Sequence, residues 1–134
     1  MPSLLDISIL VAGGLFLPIL LPCFLQGPLP VFDGLLPGVM DSNYLAHPMT
    51  EHVFLIDMGK NLTLVLLCAW AYLQTSVASK KAVASLMSIQ NLWAAFVAHG
   101  LASPEMLGCS LFLAALMVAA ILLTAPDAKA GKKK

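Results

Sequence analysis

Charge is scarce in this sequence. Only 10% of its 134 residues are Asp, Glu, Lys or Arg, and 60% are hydrophobic, whereas soluble domains carry about 25% charged residues. So few charges cannot cover a water-facing surface, and a chain this short would leave most of its apolar residues wet in solution. A bilayer removes that difficulty. Arginine is missing altogether: all seven basic residues are lysine, balanced by seven acids. Zero net charge gives a nucleic-acid partner no electrostatic footprint. Cysteine is also scarce. Cys23, Cys68 and Cys109 fall one to each of three apolar runs, without a C-x-x-C pair or nearby histidines, which suits small packing residues and not a disulfide or metal framework. Missing too are a nucleophile with an assigned base, a glycine-rich phosphate loop and any internal repeat.

What is present is a series of long apolar runs. Those at 4–25, 50–73, 82–101 and 105–123 approach the roughly 20 residues that carry a helix across about 30 Å of hydrocarbon. The pattern predicts an all-α fold, an integral-membrane four-helix bundle forming a single domain. In the first run the only early charge is Asp6, which argues for a retained helix over a cleaved signal peptide. Gly13-Gly14 would admit a close neighbour, and Pro18 and Pro22 should kink or end the helix. The connection at 26–49 is broken by Gly and Pro too often to hold a useful helix, yet stays apolar, as an interfacial segment would. Thr50 is the expected cap of the second helix, with Glu51 in its first turn. Trp70 and Tyr72 would anchor its far end at an interface.

The third run offers a stripe of small and polar residues at helical spacing, Ala84, Ser88, Asn91, Ala95, Ala98 and Ala102, suited to packing on other helices. A Ser103-Pro104-Glu105 turn leads into the fourth run, where Gly108, Ala115 and Ala119 extend the small-residue theme. Pro126 ends it, and residues 126–134 form a basic tail. With four crossings, the N-terminus, Lys80-Lys81 and Lys129 to Lys134 share one side, and every lysine outside a helix falls there. This positive-inside pattern assigns both termini to the cytoplasmic, matrix or stromal face.

Three residues interrupt the second run: Asp57, Lys60 and Asn61, which share a helix face at spacings of three and four. They are the candidate ion or proton site, with Asp57 as carrier, Lys60 tuning it and Asn61 completing the hydrogen bonds. The competing reading is a self-neutralising pair near the headgroups, one to two turns in from Thr50 and away from the membrane centre. The sequon Asn61-Leu62-Thr63 lies inside the apolar run and is a chance match. His47, Glu51 and His52 have the wrong spacing for a zinc motif, with Pro48 between the histidines, so no metal site is assigned. His99 and Asn91, beside Gln90, are the candidate cofactor ligands, although no motif calls for a cofactor. A membrane enzyme would need His99 close to Asp57 or Glu51.

The expected function is therefore a non-enzymatic multi-pass membrane subunit or scaffold. Its partners would be the lipid bilayer and other membrane chains or copies of itself. The alternative is a small-solute or proton transporter built on Asp57, Lys60 and Asn61.

Overall fold

The protein is described by a computed structural model over residues 2–35, 47–100 and 104–125. The middle of the first connection with Asp41, residues Ala102 and Ser103, and the basic tail with Lys129 to Lys134 lie outside the described residues. Among the described residues every regular element is a helix. They are α1 (Leu4–Gln26), α2 (Pro28–Leu35), α3 (Pro48–Leu73), α4 (Val77–Gly100) and α5 (Pro104–Leu123). Three stretches are long and apolar enough to cross a membrane: Leu4–Gln26, Met49–Leu73 and Pro104–Leu123. The expected fourth, in α4, is not among them, because its lysines, serines, Gln90, Asn91 and His99 dilute its hydropathy.

Local chemistry explains where each helix begins. Ser3 caps α1 in a reciprocal box: its hydroxyl accepts the Asp6 N–H at 3.1 Å, and the Asp6 carboxylate accepts the Ser3 N–H at 2.9 Å. The helix runs on through Pro18 and Pro22, so of the expected kink or end, the end does not occur there. Each proline forfeits one backbone bond, and the exposed Pro18 turns away from the core. Gly27, at φ +85°, then ends α1 with its N–H on the Cys23 carbonyl. The connection does hold a helix after all, since Pro28 supplies a first position that needs no N–H.

His47, not Thr50, caps α3. Its Nδ1 accepts the Met49 N–H at 3.2 Å, Pro48 takes the first helical position, and Thr50 is buried in the first turn. Helix α4 starts at Val77 and not at residue 82, because the Ser76 hydroxyl accepts the Ser79 N–H at 3.3 Å. This draws Lys80 and Lys81 into the first turns, where the helix dipole disfavours cations. Both are compensated from other helices. Lys80 Nζ sits 2.5 Å from Asp6 Oδ1, and Lys81 Nζ donates to the Thr124 carbonyl at 2.6 Å.

Those two contacts fix the arrangement. The start of α1, the turn between α3 and α4, and the end of α5 meet at one end of the molecule, so the four long helices alternate in direction. Helix α1 pairs most closely with α3, and α4 with α5. At the Lys80 end all four share one core: Leu5, Ile9 and Ala12 of α1, Cys68 and Ala71 of α3, Val83, Ala84 and Met87 of α4, and Met117 and Ala120 of α5. At the other end the core shrinks to Leu20, Cys23 and Met58, covered by Val31 of α2.

The α4 stripe is buried as expected at Ala84, Ser88, Asn91, Ala95 and Ala98. Helix α5 turns a different face inward from the one expected. Ser110, Leu113, Ala114, Met117 and Ala120 are buried, while Gly108 and Ala115 are exposed. A face alternating small and long side chains fills the space beside an α4 stripe that is itself mostly small. Gly13 provides the close approach of α1 to α3, but Gly14 faces outward.

Candidate functional site

Between the α1/α3 pair and the α4/α5 pair, in the half away from Lys80, lies a cavity of about 520 Å³. All four long helices line it: Leu15, Phe16 and Ile19 from α1; Phe54, Asp57, Lys60 and Asn61 from α3; Gln90, Asn91, Trp93, Ala94 and Val97 from α4; and Glu105, Met106, Cys109, Ser110 and Leu113 from α5. Most of this wall is apolar, with polar groups at a few places, which is the usual make-up of a small-molecule site. The volume also falls within the range of about 300–1,000 Å³ typical of such sites.

The polar groups are partly committed to one another. Asp57 is the hub of α3: one carboxylate oxygen accepts from Lys60 Nζ and the other from Asn61 Nδ2 at 2.9 Å. Spacings of three and four make this pairing possible within one helix. The Lys60 and Asp57 side chains remain 43% and 35% exposed, whereas Asn61 is buried. On α4, the buried Asn91 donates Nδ2 to the Met87 carbonyl at 2.8 Å. Ser110, 7% exposed, and Glu105, exposed in the first turn of α5, make no side-chain hydrogen bond or ion pair among the described residues.

Along α3 the Asp57 group lies near the middle of the helix. Asn61 stands twelve residues from either end of the Met49–Leu73 stretch, and Asp57 precedes it by one turn. At 1.5 Å per residue, the cluster lies within about 6 Å of the helix midpoint.

The cavity therefore unites Asp57, Lys60 and Asn61 with Asn91 and Gln90, and adds Glu105 and Ser110, which sequence reasoning did not select. Spacing could not reveal them, because they join the others only when α5 packs beside α4. His99 is not brought in: it is exposed near the end of α4, away from the cavity lining, so His99 and Asn91 do not form one ligand set. His47 is used as a cap. Cys23 and Cys68 are buried packing residues, whereas Cys109 is exposed and lines the cavity. Neither a protein-family model nor a curated protein nor a solved structure matches the chain, so its function must be read from its own residues.

Proposed function

We propose that the chain is a non-enzymatic multi-pass membrane protein. Its four long helices form a bundle that crosses the bilayer four times, and its outer faces pack against other membrane helices as a subunit or scaffold. The face pattern of α4 carries this reading. Its buried stripe holds Ser88 and Asn91, while Leu86, Ile89, Leu92 and Phe96 point outward at 52–68% exposure. A helix with polar groups inside and large apolar groups outside suits hydrocarbon, even though its mean hydropathy is lower than that of its neighbours. The meeting of α1's start, the Lys80-Lys81 turn and α5's end at one pole agrees with the lysine asymmetry. Both termini then belong on the cytoplasmic, matrix or stromal side.

Accessibility labelling tests the topology. Single cysteines replacing Lys80 and Glu105, in a background without Cys23, Cys68 and Cys109, should react from opposite sides of sealed vesicles. Reaction from the same side would end the four-crossing reading. For the subunit role, extraction in mild detergent should yield an oligomer or a complex with other membrane chains, and a lone monomer would count against it.

The cavity favours a second reading, a small-solute or proton transporter using Asp57, Lys60 and Asn61. Its support is that the only lysine–carboxylate cluster in mid-helix among the described residues lines an internal space. Asp57→Asn should then abolish uptake or proton flux in proteoliposomes, and unchanged flux would remove this reading.

A further inference from the structure

The polar groups of the cavity wall differ in how far they are enclosed. No buried side-chain nitrogen or oxygen among the described residues lacks a partner. Asn61 and Asn91, bonded to Asp57 and to the Met87 carbonyl, therefore need nothing from an occupant. The charges are less enclosed. Lys60 and Asp57 pair with each other, yet their side chains stay 43% and 35% exposed near the middle of α3. Hydrocarbon penalises charge left open in this way, and ionisable groups within membrane helices almost always face the bundle interior or a water-filled space. Gln90, half-buried, and Glu105, exposed, belong to the same wall. The volume of about 520 Å³ has room for roughly 17 waters at about 30 Å³ each. Cavities that stay dry are apolar throughout, and this one is not.

We infer that the cavity is an aqueous vestibule, which admits water and small hydrophilic solutes as far as the Asp57–Lys60 pair from the side opposite Lys80. The side follows from the packing. Toward Lys80 the way is closed by the core that all four long helices share, with Met87 and Met117 fully buried in it. At the other end the smaller core draws on α1, α2 and α3 alone, so among the described residues no shared core closes the gap between the two helix pairs there. Glu105, in the first turn of α5, brings an exposed carboxylate to that end. A lipid tail is the competing occupant, since most of the wall is apolar. It would cover Leu15 and Phe16 but strip water from Lys60 and Glu105, which an aqueous filling leaves hydrated. Mutual neutralisation explains why Asp57 and Lys60 coexist in one helix, but not why both remain open. The inference rests on the four-crossing reading, and it gives the transporter reading its side of entry.

Single cysteines are placed in the full chain lacking Cys23, Cys68 and Cys109, reconstituted in sealed vesicles whose orientation is set by labelling at positions 80 and 105. Two pairs compare neighbouring positions that differ in face: Phe54→Cys with Leu55→Cys on α3, and Ala94→Cys with Leu92→Cys on α4. Phe54 and Ala94 line the cavity, whereas Leu55 and Leu92, 48% and 52% exposed, do not. The probe is a permanently charged, membrane-impermeant methanethiosulfonate. Phe54→Cys and Ala94→Cys should react at least about tenfold faster than their neighbours, because the thiolate that attacks forms only in water. They should do so only with reagent on the Glu105 side. Melting curves matching the cysteine-free parent show that the variants fold, and pairs on separate helices keep the test decisive if one variant does not. Three results overturn the inference: equal rates within both pairs, reaction from the Lys80 side, or no reaction at either lining position, as hydrocarbon filling would give. Such a failure with opposite-side labelling at positions 80 and 105 leaves the four-crossing reading standing, whereas same-side labelling removes both.

Discussion

Gly13 illustrates how sharply a single residue is constrained here. A Cβ built on it would lie 2.8 Å from the Cβ of Cys68, an atom held by the α3 backbone, whereas one built on Gly14 meets nothing within 4 Å. Gly13→Ala should therefore destabilise the fold by about 1–3 kcal/mol through overpacking. Gly14→Ala should be neutral or stabilise by about 0.5–1 kcal/mol, since alanine loses less backbone freedom in a helix. Melting of both variants in one detergent checks the pair. The Asp57 cluster gives a second residue-scale prediction. Asp57→Asn leaves Lys60 without its carboxylate, and adding Lys60→Met should recover part of the lost stability. A double-mutant cycle should give a coupling of about 0.5–3 kcal/mol. This cluster was visible in the sequence because all its members lie within five residues of one helix. Glu105 and Ser110 were not, because a different helix delivers them and no local spacing records it.

Among the elements, α4 is the one whose two faces differ most usefully. Ala84 is fully buried and Ile89 is 64% exposed. Ala84→Leu should destabilise by about 1–3 kcal/mol by forcing α4 off its neighbours, while Ile89→Ala should change stability by no more than about 0.5 kcal/mol. Equal effects in thermal melts would mean that the helix is not seated as described. The α4 stripe could be read from the sequence because small and polar residues recur there at helical spacing. The inward face of α5 could not. That helix is apolar all round, so no periodicity marks a side, and the partner alone decides. Helix starts were missed for a chemical reason: His47 caps through a ring nitrogen, and Lys80 and Lys81 read as lying ahead of the run at 82–101 until Asp6 and the Thr124 carbonyl are found beside them.

For the whole molecule, the decisive asymmetry is between a pole where four helices share a core and a pole where they surround a cavity. The Asp6–Lys80 pair, with both side chains 14% exposed, joins α1 to α4 at the packed pole. Lys80→Met removes a charge-assisted bond of about 1.5–3 kcal/mol. It should lower the melting temperature and speed amide exchange through residues 74–81, and unchanged exchange there would show that the pair does not hold this end. The alternation of helix direction was foreseeable from four successive membrane-length runs, but the unequal filling of the two poles was not. It depends on which side chains from distant runs meet. The filled pole makes the interior a cul-de-sac. Conveyance to the far compartment would require Asp6 to release Lys80 and the floor of methionines and alanines to part.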